Sequence, residues 1–330
     1  MVMTTAAMVA ATPEAISAYS MAVAPPSSRT KMCIRDRLWA VFTLIAAAAQ
    51  TARNAMQREL TATLGTVGAT HVRFLFGFPF ALIFLAGVLL VTGSALPHPG
   101  LAFWPWVIAG AFTQIAATAL MLSAMGERSF VVAYAYIKTE PVQIALFGLI
   151  FLGDSVTLLA AAAILIATAG VIVISLKPGA GSVSTTRSTL IGLGSGCMFA
   201  LAAITFRGAI LALQHPDFVL AATFTLAVGL VLQAALLSLY LWLRDPKVLY
   251  DIMRAWRPSL FAGFMGALAS QFWFLAFAIA TAASVRTLAL VEVLFAQAIS
   301  KFIFKQPTTA REAVGIVLVV VGVALLVWAY

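Results

Sequence analysis

From Leu38 onward, the sequence falls into apolar blocks that are long enough to cross a lipid bilayer. The hydrocarbon core of a bilayer requires about 20 apolar residues per helix. The blocks are apolar on every side, whereas barrel strands alternate apolar and polar residues. The sequence therefore predicts an all-α integral membrane protein with ten transmembrane helices. Their approximate bounds are 38–57, 68–92, 103–125, 130–150, 157–176, 190–211, 218–243, 259–280, 284–304 and 310–329.

The composition excludes several other classes of protein. Charged residues make up 9% of the chain, against about 25% in soluble domains. The net charge of +9 is interpreted as loop charge beside lipid headgroups, because no basic run is interleaved with aromatic residues as in nucleic-acid binding. Two distant cysteines and three histidines offer no metal-ligand spacing. We therefore expect no nucleic-acid partner, metal or cofactor.

The sequence predicts four segments. Residues 1–37 are mostly small and polar and are expected to form a disordered tail. The stretch "MCIRDR" (32–37) resembles a translated sequencing adapter, so the alternative is that this tail does not belong to the native protein. Two membrane regions follow, at 38–176 and 190–330. The Gly- and Ser-rich stretch 177–189 is predicted to link them.

The two membrane regions resemble each other. One constant shift places Glu140 on Glu292 and Gly170 on Gly322. Each region holds five predicted helices, and an odd number makes the second copy enter the bilayer from the opposite face. The sequence therefore predicts two inverted five-helix repeats, an arrangement common in secondary transporters with a substrate site between the repeats.

Three local patterns resemble the EamA-like family of the drug/metabolite transporter superfamily. They are "HVRFLFGFPFAL" (71–82), "KTEPVQIALFGLIFLGD" (138–154) and "LVEVLFAQAISKFIFKQP" (290–307). Asp154 stands where this family usually has glutamate, and Glu292 lacks the proline that usually follows. The resemblance implies a ten-helix carrier, often an exporter of amino acids or other metabolites, with a central cavity.

Charged residues inside apolar blocks mark candidate substrate contacts, because each costs at least about 2.5–3.5 kcal/mol at a helix centre. Tyr136, Glu140 and Gln143 are spaced to share one helical face, and Tyr134 and Lys138 a neighbouring one. Arg286 and Glu292 are predicted on the ninth helix. Additional predicted cavity-lining residues are Gln114, Gln271 and Trp273.

These residues have two interpretations. In the functional one, Glu140 and Glu292 approach a central cavity and bind a cation, an ammonium group or a proton, while Lys138 or Arg286 receives a carboxylate or phosphate. In the structural one, the two bases neutralise the two acids in buried pairs that only fix helix packing. Arg53, Arg73 and Arg207 are interpreted mainly as interfacial residues, and pairs that open and close with the cavity are the alternative for Arg53 and Arg207.

The leading functional prediction is a secondary exporter of small polar metabolites in a bacterial inner membrane, driven by a proton or ion gradient or by the gradient of its substrate. The sequence is compatible with a monomer. A flippase of lipids or lipid-linked sugars on the same fold is one alternative. An integral membrane enzyme is a weaker one, because no HExxH, CxxC or Ser/His/Asp grouping is present.

The orientation of the chain stays open at this stage. The family resemblance implies cytoplasmic termini. Lysine and arginine, however, concentrate in the loops opposite the N-terminus, such as 244–257, and the positive-inside rule would then place the termini outside.

Overall fold

The structure is a computed structural model that describes residues 26–125, 136–175, 186–295 and 309–329. Every regular element in these ranges is helical. The helices are α1 (Pro26–Leu75), α2 (Phe78–Thr92), α3 (Phe103–Met125), α4 (Glu140–Phe147), α5 (Leu158–Ser175), α6 (Thr186–Ala212), α7 (Phe218–Arg244), α8 (Pro246–Arg254), α9 (Trp256–Ile279), α10 (Ala282–Leu288) and α11 (Ala310–Trp328).

The chain divides into two compact units, Met1–Leu38 and Trp39–Tyr330. In the first unit, residues 26–38 are helical, so the structure differs there from the predicted disordered tail. Pro26 stands at the first position of the helix, where its fixed φ is favourable. All contacts discussed below lie within the second unit.

Seven segments within the described ranges are long and apolar enough to cross a membrane. Aliphatic side chains on their outer faces are strongly exposed: Leu90, Val91 and Leu158 are 84%, 87% and 89% accessible. Such apolar exposure indicates contact with lipid. The protein is therefore an all-helical, multi-pass membrane protein.

The predicted loop between the first two spans is helical, so that prediction is wrong. Helix α1 continues through residues 58–67 and breaks at Gly65, which has φ +67° and ψ 177°. Only glycine adopts this region readily. A second irregularity at Phe76–Gly77 separates α1 from α2. The short helix α8, between α7 and α9, was also not predicted.

Two pairs of helices from different halves pack closely. In the α5–α11 pair, a Cβ built at Gly170 would lie 2.7 Å from the Val319 backbone nitrogen, and one at Gly322 would lie 2.6 Å from that of Ala167. In the α3–α6 pair, Gly110 contacts the Phe206 ring. Small residues allow membrane helices to approach backbone to backbone. These contacts hold the two halves together around the residues described next.

Candidate functional site: a charge cluster at two helix breaks

The two aligned glutamates both follow an interruption in a helix. Lys138 and Thr139 form a turn, and α4 begins at Glu140. In the second half, α10 ends at Leu288 and a 3₁₀ turn, Ala289–Val291, leads directly to Glu292. The shift that aligns the two glutamates also aligns these interruptions. Broken helices near the membrane midplane are where many carriers bind substrate.

The first interruption has a local cause. Pro141 occupies the first turn of α4, where a missing N–H costs nothing. The Thr139 hydroxyl donates to the Tyr136 carbonyl at 2.7 Å and accepts from Gln143 Nε2 at 2.9 Å. Because the helix is interrupted at 138–139, Tyr136 and Glu140 do not lie on one continuous helical face, in contrast to the predicted spacing.

Two ion pairs connect the two halves of the chain. Lys138 pairs with Glu292, and Arg286 Nε lies 3.3 Å from Glu140 Oε1. The second pair is an ion pair without a hydrogen bond, since neither of its two atoms has a hydrogen-bond partner. All four side chains are at most 12% exposed. We call these four residues the central charge cluster.

Gln50 and Trp273 extend this cluster. Gln50 Nε2 donates to Glu292 Oε2 at 3.5 Å, and the Trp273 indole N–H donates to Gln50 Oε1 at 3.1 Å. The Arg286 guanidinium lies 4.4 Å from the centre of the Trp273 ring, a distance at which a cation–π attraction acts. Trp273 was a predicted cavity residue. Gln50 was not, although it interrupts the apolar run "IAAAAQTA" of α1.

The remaining predicted site residues lie elsewhere or outside the described ranges. Gln143 lies against Gly196 of α6. Gln114 accepts from Gln233 Nε2 at 2.8 Å, and Gln271 donates to Thr223 Oγ1 at 2.7 Å. The hydrogen bonds of Gln114 and Gln271 therefore lead to α7 and not to the central charge cluster. Tyr136 is partly buried, and Tyr134 lies outside the described residues.

Arg53 and Arg73 lie in the protein interior, in contrast to their interpretation as interfacial residues. Each is 2% exposed. Arg53 donates to Asn54 Oδ1 at 2.7 Å. Arg73 donates to Thr118 Oγ1 at 3.1 Å and to Ser270 Oγ at 3.4 Å. The partners of both guanidinium groups are thus uncharged.

A third ion pair lies at the end of α6. Arg207 Nη1 donates to both carboxylate oxygens of Asp154, at 2.6 and 2.7 Å, and its Nε donates to the Ala280 carbonyl at 3.1 Å. Asp154 follows Gly153, whose φ of +66° ends the helical turn after α4. This pair joins the first half of the chain to the second; whether it opens and closes with a cavity stays a prediction.

Two surface cavities have volumes of about 570 and 520 Å³. The first is lined by residues of α1, α8 and α9, including Glu59 and Asp251. The second is an apolar groove between α2, α7 and α9 that includes Gln271. Neither is lined by the central charge cluster. Within the described ranges, no group of three or more His, Cys, Asp or Glu could hold a metal ion.

Comparisons with known proteins agree with this architecture. The sequence model of the EamA-like transporter family matches the chain twice, over residues 37–176 and 187–328. A solved structure described as "Crystal structure of protein" aligns with a TM-score of 0.64 and 17% sequence identity, over 88% of this chain and 94% of that chain, so the two share a fold. A comparison with curated proteins gives no match. The chain belongs to the EamA-like transporter family.

Proposed function

We propose that this protein is a secondary carrier that exports small polar metabolites, such as amino acids, by alternating access at a site between two inverted five-helix repeats. The observation that supports this most is the central charge cluster: its two ion pairs cross from one repeat to the other at aligned helix interruptions. Two similar bundles that rock about such a site would open it to one side of the membrane and then the other.

The proposal includes ten membrane helices. Seven segments of the described ranges are long and apolar enough to cross a membrane. The other three proposed spans are residues 38–57 of α1, residues 130–150, which contain α4, and residues 284–304, which contain most of α10. The last two continue into residues 126–135 and 296–308, which lie outside the described ranges.

We further propose a bacterial inner membrane location, a monomer and coupling to a proton or ion gradient or to the substrate's own gradient. A buried carboxylate such as Glu292 can hold a proton or a cation, and this supports the coupling. A flippase would be favoured by a lateral groove with cations at headgroup depth. The apolar groove between α2, α7 and α9 contains no lysine or arginine among its lining residues, so it gives that alternative no support.

Counterflow in proteoliposomes tests the proposal. Liposomes that contain the purified protein are preloaded with an unlabelled solute and diluted into a trace of that solute in labelled form. The assay is repeated for a panel of amino acids, organic acids and sugars. A carrier exchanges one for the other, so we expect transient accumulation of label for at least one solute and none in protein-free liposomes.

Uptake that only reaches equilibrium, without accumulation, would indicate a channel. Failure of the whole panel, together with protein-dependent exposure of a fluorescent lipid to dithionite, would instead identify a flippase. Either result contradicts the proposed carrier.

A further inference from the structure

Arg53 and Arg73 are buried charges without a carboxylate partner among the described residues. Each guanidinium is 2% exposed and bonds only to uncharged side chains, as described above. In the part of the chain that the structure describes, no carboxylate lies within ion-pair distance of either arginine. Arginine stays protonated in proteins. Both charges are therefore incompletely compensated.

Three nitrogen atoms of these arginines have no hydrogen-bond partner although they are buried. They are Nε and Nη1 of Arg53 and Nε of Arg73. A guanidinium presents its N–H groups as a planar fork that matches the two oxygens of a carboxylate or phosphate. Unpartnered buried N–H groups are rare because each loses its hydration without a replacement. The open positions are thus those that an oxyanion would fill.

Both arginines belong to α1, and they lie side by side against α9. A Cβ built at Gly266 would lie 3.2 Å from Arg73 Cγ and 3.4 Å from Arg53 Cδ. Both aliphatic stems therefore pack on the same glycine, and a larger residue there would displace them. One turn further along α9, Ser270 accepts from Arg73. The two like charges are thereby held near each other, and an anion between them would offset their repulsion.

The buried interior as a whole has an excess of positive charge. Among the described residues, the carboxylates Glu292, Glu140 and Asp154 are paired with Lys138, Arg286 and Arg207, and the fully buried cations Arg53 and Arg73 are additional to these pairs. Arg286 also lies close enough to Arg53 and Arg73 to repel them. The two ion pairs of the central charge cluster therefore leave nothing to balance these arginines.

We propose that Arg53 and Arg73 together bind an anionic group, a carboxylate or a phosphate, of the transported substrate. That this ligand is transported rests on the carrier function proposed above; the anion site itself does not. Gly266 and Trp273 are seven residues apart on α9, about 10 Å at 1.5 Å per residue. Trp273 and the central charge cluster thus lie within the length of a small metabolite from Gly266.

The binding test uses purified protein in detergent and three minimal probes. These are inorganic phosphate, acetate and acetamide, the last being the neutral isostere of acetate. Thermal unfolding is followed at constant chloride as each probe is titrated, since a ligand of the native state raises the unfolding midpoint in a saturable manner. We expect saturable stabilisation by phosphate, acetate or both, and none by acetamide. The stronger anion identifies the class of the substrate group.

Variants locate the site. Arg73→Met and Arg53→Met are each expected to weaken anion binding about tenfold or more, because each removes a charge-assisted hydrogen-bond donor. Arg244→Met, which removes an exposed arginine, is the matched control and should bind as the wild type does. Arg73→Lys keeps the charge without the fork and should give an intermediate loss if the methionine variant does not fold.

Two results would overturn the anion site. One is the absence of any saturable shift by phosphate or acetate beyond that of acetamide in the wild type. The other is a shift of the unfolding midpoint in both Arg53→Met and Arg73→Met with the same anion affinity as in the wild type. Anion binding without counterflow of any solute would contradict only the carrier function. Counterflow of a solute that both arginine variants retain unchanged would contradict only the assignment of the bound anion to the transported substrate.

Discussion

Replacing Glu292 with glutamine is expected to reduce counterflow at least about 100-fold. Glu292→Gln keeps the side-chain shape but removes the charge that pairs with Lys138 and accepts from Gln50. Removing one partner of a buried ion pair destabilises the structure that contains it by about 3–5 kcal/mol. Every 1.4 kcal/mol is tenfold in an equilibrium, so the population of the transport-competent structure should fall at least about 100-fold. Initial counterflow rates and the thermal unfolding midpoint are measured together, and both should fall.

Glu59→Gln is the matched control, because Glu59 is exposed and the chemical change is identical. It should leave both quantities near their wild-type values. The double variant Lys138→Met/Glu292→Gln then separates the two interpretations of the pair. Removing both charges should restore the unfolding midpoint without restoring transport. If the double variant transports at the wild-type rate, the pair serves only helix packing and its proposed role in transport is wrong.

A crosslink between positions 154 and 207 is expected to stop transport completely and reversibly. The Asp154–Arg207 pair joins the turn after α4 to α6 and, through the Ala280 carbonyl, to the end of α9. If the repeats rock against each other, this end of the molecule must open in every cycle. Asp154→Cys/Arg207→Cys, in a background with Cys33→Ser and Cys197→Ser, is treated with a short bis-methanethiosulfonate, and counterflow is measured before and after reduction.

The control pair is Lys247→Cys/Asp251→Cys, four residues apart on the single helix α8. A crosslink within one helix restrains no motion between the repeats, so transport should continue. Full counterflow in the crosslinked 154/207 protein would show that this ion pair does not open during transport.

Much of the fold could be predicted from the sequence because the apolar blocks are long and end at clear signals. Helices α3, α5, α7 and α11 each begin and end within a few residues of the predicted spans. The segment 58–67 lies between the first two predicted spans, yet half of its residues, Arg58, Glu59, Leu60, Ala62 and Leu64, are good helix formers, and only Gly65 interrupts the helix there. Charged residues alone do not end a helix.

The four charged residues of the candidate site were predicted, but neither Gln50 nor the contacts within the site were. Charges in apolar blocks identified Lys138, Glu140, Arg286 and Glu292. The spacing of residues along one helix, however, does not predict which residues of another helix they will contact. The break at Thr139 was not recognised, although Pro141 is its local cause. The burial of Arg53 and Arg73 depends on tertiary packing against Gly266, which no local pattern reveals.

Access to the central site from both sides of the membrane is the most direct test of the account. Gln50 is partly buried and bonds both Glu292 and Trp273, so a cysteine there reports on the space between the repeats. Gln50→Cys, in the same cysteine-free background, is labelled with a membrane-impermeant methanethiosulfonate in right-side-out and in inside-out vesicles. If the site opens to each side in turn, we expect Gln50→Cys to be labelled from both sides, and we expect a solute that shows counterflow to slow the labelling. Labelling from one side only, or from neither, would contradict alternating access at this site.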